Sequence, residues 1–246
     1  MEKRFYRSWI TIAAKRQAPK IVSAVVVLLA GIYGVYSQLK PDNEQSNTIK
    51  EVTVSQLSEV PDYDGQHQTI ELNHNRPNFT TKDLSLEQGA WTRFSDLDQL
   101  NRVGTANAML GKEIMPHQER ERLYVKPTGW RQKFYNDEPL YNRAHLIAYQ
   151  FSGENNNLKN LMTGTASLND PGMNDHEKEI GNYIRKTNHH VRYRVTPFFK
   201  GEELVARGVQ MEAQSIEDDQ ISFNLFIYNV QDGIKIDYQN GYSQKE

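Results

Sequence analysis

The chain contains no cysteine. Disulfides and thiolate metal sites are therefore excluded, while either redox compartment stays open. A strong charge excess is also lacking, since the formal net charge is −2 over 246 residues. That balance hides an asymmetry. Residues 1–37 carry Lys3, Arg4, Arg7, Lys15, Arg16 and Lys20 against Glu2 alone, so the remainder is acidic. An acidic main domain argues against diffuse polyanion binding unless positive charge is gathered locally. Internal repeats are absent. In "GTANAMLGKE" (104–113) six residues separate the glycines, so the phosphate-cradling glycine loop fails on spacing. His189 and His190 lack a ligand partner at zinc-site spacing, which leaves them a structural role.

Long apolar runs are scarce, and one stands out. "IVSAVVVLLAGIYGVY" (21–36) holds a single strongly polar residue, Ser23. With its edges it approaches the ~17–25 residues that span a bilayer. The basic flank should stay cytoplasmic, placing the C-terminal bulk outside. This predicts a basic segment over 1–20, a transmembrane anchor over 21–39, a polar tether over 40–66 and an outer domain over 67–246. A removed signal segment is the alternative, but Gly34–Ser37 makes a poor cleavage site.

Composition supports a folded outer domain, with 37% hydrophobic and 10% aromatic residues. "TIELN" (69–73) alternates like an entry strand. Ser95 followed by Leu97, Leu100, Val103 and Ala106 predicts a capped helix over 95–111, weakened by Gly104. "VRYRV" (191–195), "ELVARGVQMEA" (203–213) and "ISFNLFIYNV" (221–230) alternate with period two and predict an antiparallel meander with one buried face. "DHEKEIGNYIRK" (175–186) reads as helix. The order of elements predicts an α+β domain.

The chemistry-bearing residues cluster around "YNRAH" (141–145), which leads into the apolar run 146–151. If that run is an extended core segment, His145 stands at its mouth with Arg143 on the same side. A nearby guanidinium lowers an imidazole pKa, so His145 can serve as a neutral general base while Arg143 clamps a phosphate oxygen. Asn160 and Asn169 bracket "LMTGTASL", and carboxamide oxygens suit Mg²⁺. The following helix offers Glu177 or Glu179 to orient water and Arg185 to meet the leaving phosphate. Asn155–Asn157 read as a turn. Lys126, Arg131 and Lys133 are interleaved with Trp130, Phe134 and Tyr135, a mixture suited to backbone phosphates and unstacked bases. A solvated charged surface over an aromatic core would leave the same pattern.

These blocks resemble a known family. "NRAH" followed by spaced asparagines is similar to the Asp-Arg-Gly-His signature of DNA/RNA non-specific endonucleases with a ββα-metal (His-Me finger) site. "WTRFSDLDQLNRVGTANAML" (91–110), "VKPTGW" (125–130), "NRAHLIAYQFSGENNNLKNLMTGTASLN" (142–169) and "VRYRVTPFF" (191–199) resemble bacterial membrane-anchored DNA-entry nucleases and streptococcal secreted DNases. The resemblance implies a ββα core on a mainly antiparallel sheet flanked by helices. It implies Mg²⁺, with Mn²⁺ as a substitute, and DNA or RNA as substrate, cut at the bacterial cell surface or after secretion. By the same resemblance His145 is the base, Asn169 the metal ligand with Asn160 shaping its site, Arg143 sits by the scissile phosphate, and Glu177 holds water. Asn142 replaces the signature Asp and Ala144 the signature Gly. A catalytically silent nucleic-acid-binding surface protein is the rival from another class.

Overall fold

The computed structural model describes residues 49–246. The basic segment 1–20 and the apolar run 21–39 lie outside the described residues. Among those described, no helix is long and apolar enough to cross a membrane. The strands are β1 (Lys50–Val52), β2 (Thr69–Leu72), β3 (Trp91–Phe94), β4 (Ala106–Leu110), β5 (Phe134–Tyr135), β6 (Glu138–Pro139), β7 (Tyr141–His145) and β8 (Leu161–Thr165). They continue as β9 (Val191–Phe198), β10 (Gly208–Ser215), β11 (Ser222–Tyr228), β12 (Ile234–Ile236) and β13 (Ser243–Lys245). A one-turn helix α1 (Tyr149–Ser152) and a long helix α2 (Asn174–Thr187) complete the elements used below.

Seven strands form a mixed sheet in the order β1-β2-β11-β10-β9-β4-β3. Its pairs are antiparallel except β1 with β2 at one edge. The β9-β10-β11 meander thus matches the alternation in the sequence, although β10 begins at Gly208 rather than near 203. Val191, Tyr193 and Val195 share a buried face with Ala106, Ala108, Met211 and Leu225. Full burial of each large aliphatic among them is worth about 1.5–3 kcal/mol. The opposite face was expected to be open but is partly roofed. Arg194 donates to the Asn78 carbonyl (2.9 Å), Asn78 N–H to Glu212 (2.9 Å), and both Arg192 and Arg194 lie 4.8 Å from the Phe79 ring. Polar strand residues are buried there because the 73–79 segment supplies their partners.

One sequence expectation needs correction. The helix expected over 95–111 is absent: 106–110 is strand β4, paired with Val191–Val195. Ala106, Ala108 and Leu110 fit period two as well as helical spacing, and the non-local pairing wins. Ser95 Oγ donates to the Thr105 carbonyl (2.8 Å) instead of capping a helix. Within the stretch expected to be a tether, Lys50–Val52 form strand β1, paired with β2. Val52, Val54 and Leu57 pack on Ile70, Leu72, Phe226 and Tyr228 and give this segment a reason to fold.

Strands β7 and β8 pair only with each other, and α2 follows them. This ββ pair and helix lie against the core face of the main sheet through Ala144, Met162, Leu168, Ile180 and Ile184. Instead of several flanking helices, α2 is the one long helix among the described residues. Asp175 and Glu177 in its first turn and Arg185 and Lys186 in its last complement its dipole. Asn229, just past β11, fastens the pair to the sheet. Its carboxamide accepts from Thr165 N–H (2.8 Å) and donates to the Thr163 (3.0 Å) and Ala206 (2.9 Å) carbonyls. Asn229→Ala strands these buried groups and should cost roughly 2–4 kcal/mol. Urea unfolding followed by circular dichroism checks this; an unchanged midpoint would remove Asn229 from its fastening role.

Candidate active site

Tyr141, Asn142, Arg143 and His145 all line one cleft of about 690 Å³, together with Arg120, Arg122, Trp130, Gln150, Asn169 and Glu177. The strand is 141–145 itself, not the run 146–151 that the sequence suggested. Leu146 and Ile147 are buried as expected, but the chain then turns into α1. His145 therefore ends a strand, with Arg143 two residues earlier on the same side. Ala144, which replaces the signature glycine, faces Gly164; a Cβ added there would lie 2.8 Å from the Ala144 Cβ. The missing side chain on β8 makes room for the extra methyl group on β7.

His145 is 7% exposed, and its Nε2 lies 2.9 Å from the Asn155 carbonyl. A carbonyl only accepts, so Nε2 carries the proton and Nδ1 keeps the lone pair. Burial pushes the imidazole pKa down to about 4; the Asn155 carbonyl opposes this and the Arg120 charge adds to it. The ring is therefore neutral at pH 7. The sequence expected a neighbouring arginine to do this, and named Arg143. The arginine concerned is Arg120, whose Nη2 lies 3.4 Å from Nδ1. Arg143 instead donates through Nε to the Val125 carbonyl and lies 4.3 Å from the Trp130 ring.

Asn169 sits on the irregular turn Leu168–Met173, anchored by its two buried ends, and faces the same cleft. Glu177, one turn into α2, is buried, and its Oε1 has no hydrogen-bond partner. Burial pushes its carboxyl up to about 8, against a weaker opposing pull from Arg120. A partnerless buried carboxyl oxygen on the same cleft as a carboxamide fits a hard divalent cation that keeps most of its waters. Among the described residues no group of three or more His, Cys, Asp or Glu side chains could hold a metal.

Several expected site residues lie elsewhere. Asn160 is fully buried, accepts from Ile147 N–H (2.8 Å) and donates to the Ile147 carbonyl (2.9 Å). Its amide is engaged in holding the chain after His145, so it shapes the site and is not placed as a ligand. Arg185 does not line the cleft; it contacts Gln150 Oε1 (3.3 Å), which does. Glu179 is exposed and outside the lining. Of the basic-aromatic stretch, Trp130 reaches the cleft. Arg131 lies 5.3 Å from the Tyr242 ring and Lys133 donates to the Ser243 carbonyl (3.2 Å), both toward the β12–β13 hairpin. Lys126 is exposed beside them in sequence. His190 is held between Glu113 (3.1 Å) and Glu217 (2.7 Å), a structural clamp. Arg120, Arg122 and the Asn155 carbonyl were missed, since nothing in the charged run 115–123 marks which residues turn inward.

A strand bearing the histidine, a second strand, an asparagine and a helix bearing the buried acid together make a ββα-type site. A family model for DNA/RNA non-specific endonucleases matches residues 84–217. The chain belongs to that family. It is similar to NucA from Streptococcus agalactiae, in crystal structures with no metal bound and with magnesium ion bound. Both give a TM-score of 0.64 at 31% and 29% identity, covering 72% of this chain and 86% and 87% of NucA. Sda1 nuclease with bound zinc ion gives 0.56 at 26% identity, over 63% of this chain and 81% of Sda1. A deoxyribonuclease of Streptococcus dysgalactiae subsp. equisimilis is 34% identical over 119 residues, 46% of this chain. The match spans 36% of that relative's length.

The two buried titrating groups predict opposite pH effects on the metal-free protein. Native Glu177 holds its proton up to about pH 8, whereas the unfolded carboxyl loses it near 4.5, so its contribution to stability falls as pH rises between those values. Native His145 stays neutral down to about 4 while the unfolded ring protonates near 6.5, so its contribution falls as pH drops through that window. Melting temperatures in a chelator should show Glu177→Gln gaining on the parent from pH 5 to 8. A constant difference would mean that Glu177 is already ionised.

Proposed function

We propose that the chain is a divalent-cation-dependent, sequence-nonspecific endonuclease that hydrolyses phosphodiester bonds of DNA, with RNA as a second substrate class. The observation that carries this reading is the fixed tautomer of His145. A neutral, buried imidazole with its Nδ1 lone pair facing a cleft lined by Arg120, Arg143, Asn169 and Glu177 is a general base beside phosphate-binding and cation-binding groups. Similarity to NucA, whose structure is described with magnesium ion bound, supports Mg²⁺ as the cation, with Mn²⁺ as a substitute.

Asn169 and Glu177 would hold the cation. When bound, it supplies positive charge for the phosphate oxygens as negative charge builds there. His145 Nδ1 takes a proton from water as the water oxygen attacks phosphorus. The bond from phosphorus to the 3′ oxygen breaks; that oxygen leaves with the bonding pair and takes a proton from water, giving a 3′ hydroxyl and a 5′ phosphate. Nε2 remains donated to the Asn155 carbonyl, which steadies the imidazolium that forms. Arg143, stacked on Trp130 and tethered to Val125, presents its remaining N–H groups to a phosphate oxygen. Asn142 lines the same wall as a neutral side chain where the signature carries a charge. Lys126, Arg131 and Lys133 extend the path of the strand beyond the cleft. The proposed location is the outer face of a bacterial membrane, anchored through 21–39, or the medium if that segment is removed.

His145→Ala and Asn169→Ala should each lower plasmid cleavage in Mg²⁺ by roughly 10²–10⁴-fold without moving the melting temperature far. Gel assays of parent and variants measure this. A folded parent that shifts DNA on a gel yet leaves it uncut would instead favour a silent binding protein. The acid limb of kcat against pH should lie below the ordinary histidine value of 6.5, because burial depresses the base. A limb at or above 6.5 would contradict that assignment.

A further inference from the structure

The segment between the single 3-10 turn Lys112–Ile114 and β5 carries Arg120 and Arg122 into the cleft, yet it has no strand or helix of its own. Its backbone groups are held by side chains instead. Tyr149 Oη lies within hydrogen-bond distance of the Gln118 (3.0 Å) and Glu119 (3.1 Å) carbonyls and shares its one proton between them. Asn155 Nδ2 donates to the Glu121 carbonyl (3.2 Å) and Asn156 Nδ2 to the Arg122 carbonyl (3.3 Å). Asn156 Oδ1 accepts from Tyr124 N–H (2.9 Å). The carbonyls on both sides of Arg120 are therefore tied to one short stretch, 149–156. Asn155 has a second task, since its own carbonyl accepts from His145 Nε2.

We propose that Tyr149, Asn155 and Asn156 are positioning residues that latch an arginine loop over the base, so that Arg120 and Arg122 meet the phosphates of a nucleic-acid strand. The proposal rests on the phosphodiester-hydrolase reading above. A loop free of such ties would spread its two guanidiniums over many positions. The latch holds Arg120 with its Nη2 3.4 Å from His145 Nδ1, where a backbone phosphate must come for attack, and keeps Arg122 on the same cleft as Arg143. It also explains why consecutive asparagines stand at 155 and 156. Their amides replace the missing strand partner of 121–124, rather than merely closing a turn. Since the ties reach backbone atoms, the latch acts on where the arginines sit and leaves the chemistry to His145. Its loss should weaken substrate binding more than turnover.

The test uses the full chain and a short duplex oligonucleotide. Tyr149→Phe with Asn156→Ala, which leaves Asn155 and its carbonyl in place, should raise KM about tenfold while kcat stays within about twofold. In a His145→Ala background with chelator, where nothing is cut, the same pair should flatten the dependence of log affinity on log salt by about one to two, the value for one or two lost phosphate contacts. Arg120→Gln with Arg122→Gln should do the same, and adding the latch pair to it should do no more. Should the double latch variant not fold, Asn156→Ala alone removes one amide and carries the same expectation at smaller amplitude. Unchanged KM and salt slope in a folded latch variant, beside a parent that cuts, overturns the latch alone. A fall in kcat with KM unchanged also overturns it. A parent that neither binds nor cuts DNA overturns the hydrolase reading and the latch together.

Discussion

The site depends on one hydrogen bond, from His145 Nε2 to the carbonyl of Asn155 at 2.9 Å. It fixes which ring nitrogen carries the proton, and so turns a buried histidine into a base with a defined lone pair. Burial alone would favour a neutral ring without choosing the tautomer. The carbonyl makes the choice and keeps it, because a backbone group held by the 145–160 segment cannot rotate away as a side chain can. Asn160 reinforces that segment by occupying both polar groups of Ile147. The geometry of the base is thus set by backbone, at both ends of a loop.

Against that rigid feature, the cleft holds charge that is incompletely compensated. Glu177 is buried with a partnerless oxygen, and Arg120 is the one charged side chain that pulls its carboxyl down. The same guanidinium lies against His145. A buried carboxyl without partners keeps its proton near neutral pH, which costs it affinity for the native state as pH rises. Such an arrangement is poor for stability and well suited to an incoming cation, which is the usual trade at a functional site. Asn169 lines the same cleft with a neutral carboxamide, which adds an oxygen acceptor without adding charge.

Much of this was legible in the chain. Alternation over 191–195 and 221–230 marked the long strands, because a half-buried sheet demands it. The spacing of Arg143 and His145 put them on one side of a strand, and Asn169 and Glu177 were named with them. Where the reading failed, non-local partners decided. Residues 106–110 fit a helix or a strand by local pattern, and pairing with β9 made them β4. Asn160 was read as shaping the site of Asn169, and which groups it would hold was not legible: its amide is spent on Ile147, while Asn169 lines the cleft. Arg131 and Lys133 were read as substrate contacts and lie against Tyr242 and Ser243.

The sequence by itself determined the residue types and their local periodicity: the neutral-base candidate, its strand neighbour, the carboxamide, the amphipathic helix and the alternating strands. Only the tertiary structure decided which nitrogen of His145 is free, which arginine faces it, and which carboxylate is left without a partner. Each of those depends on groups 10 to 57 positions from one another, from His145 with Asn155 to Arg120 with Glu177. Hydrogen-bond satisfaction and desolvation are properties of what folding brings together, and local pattern carries no record of them.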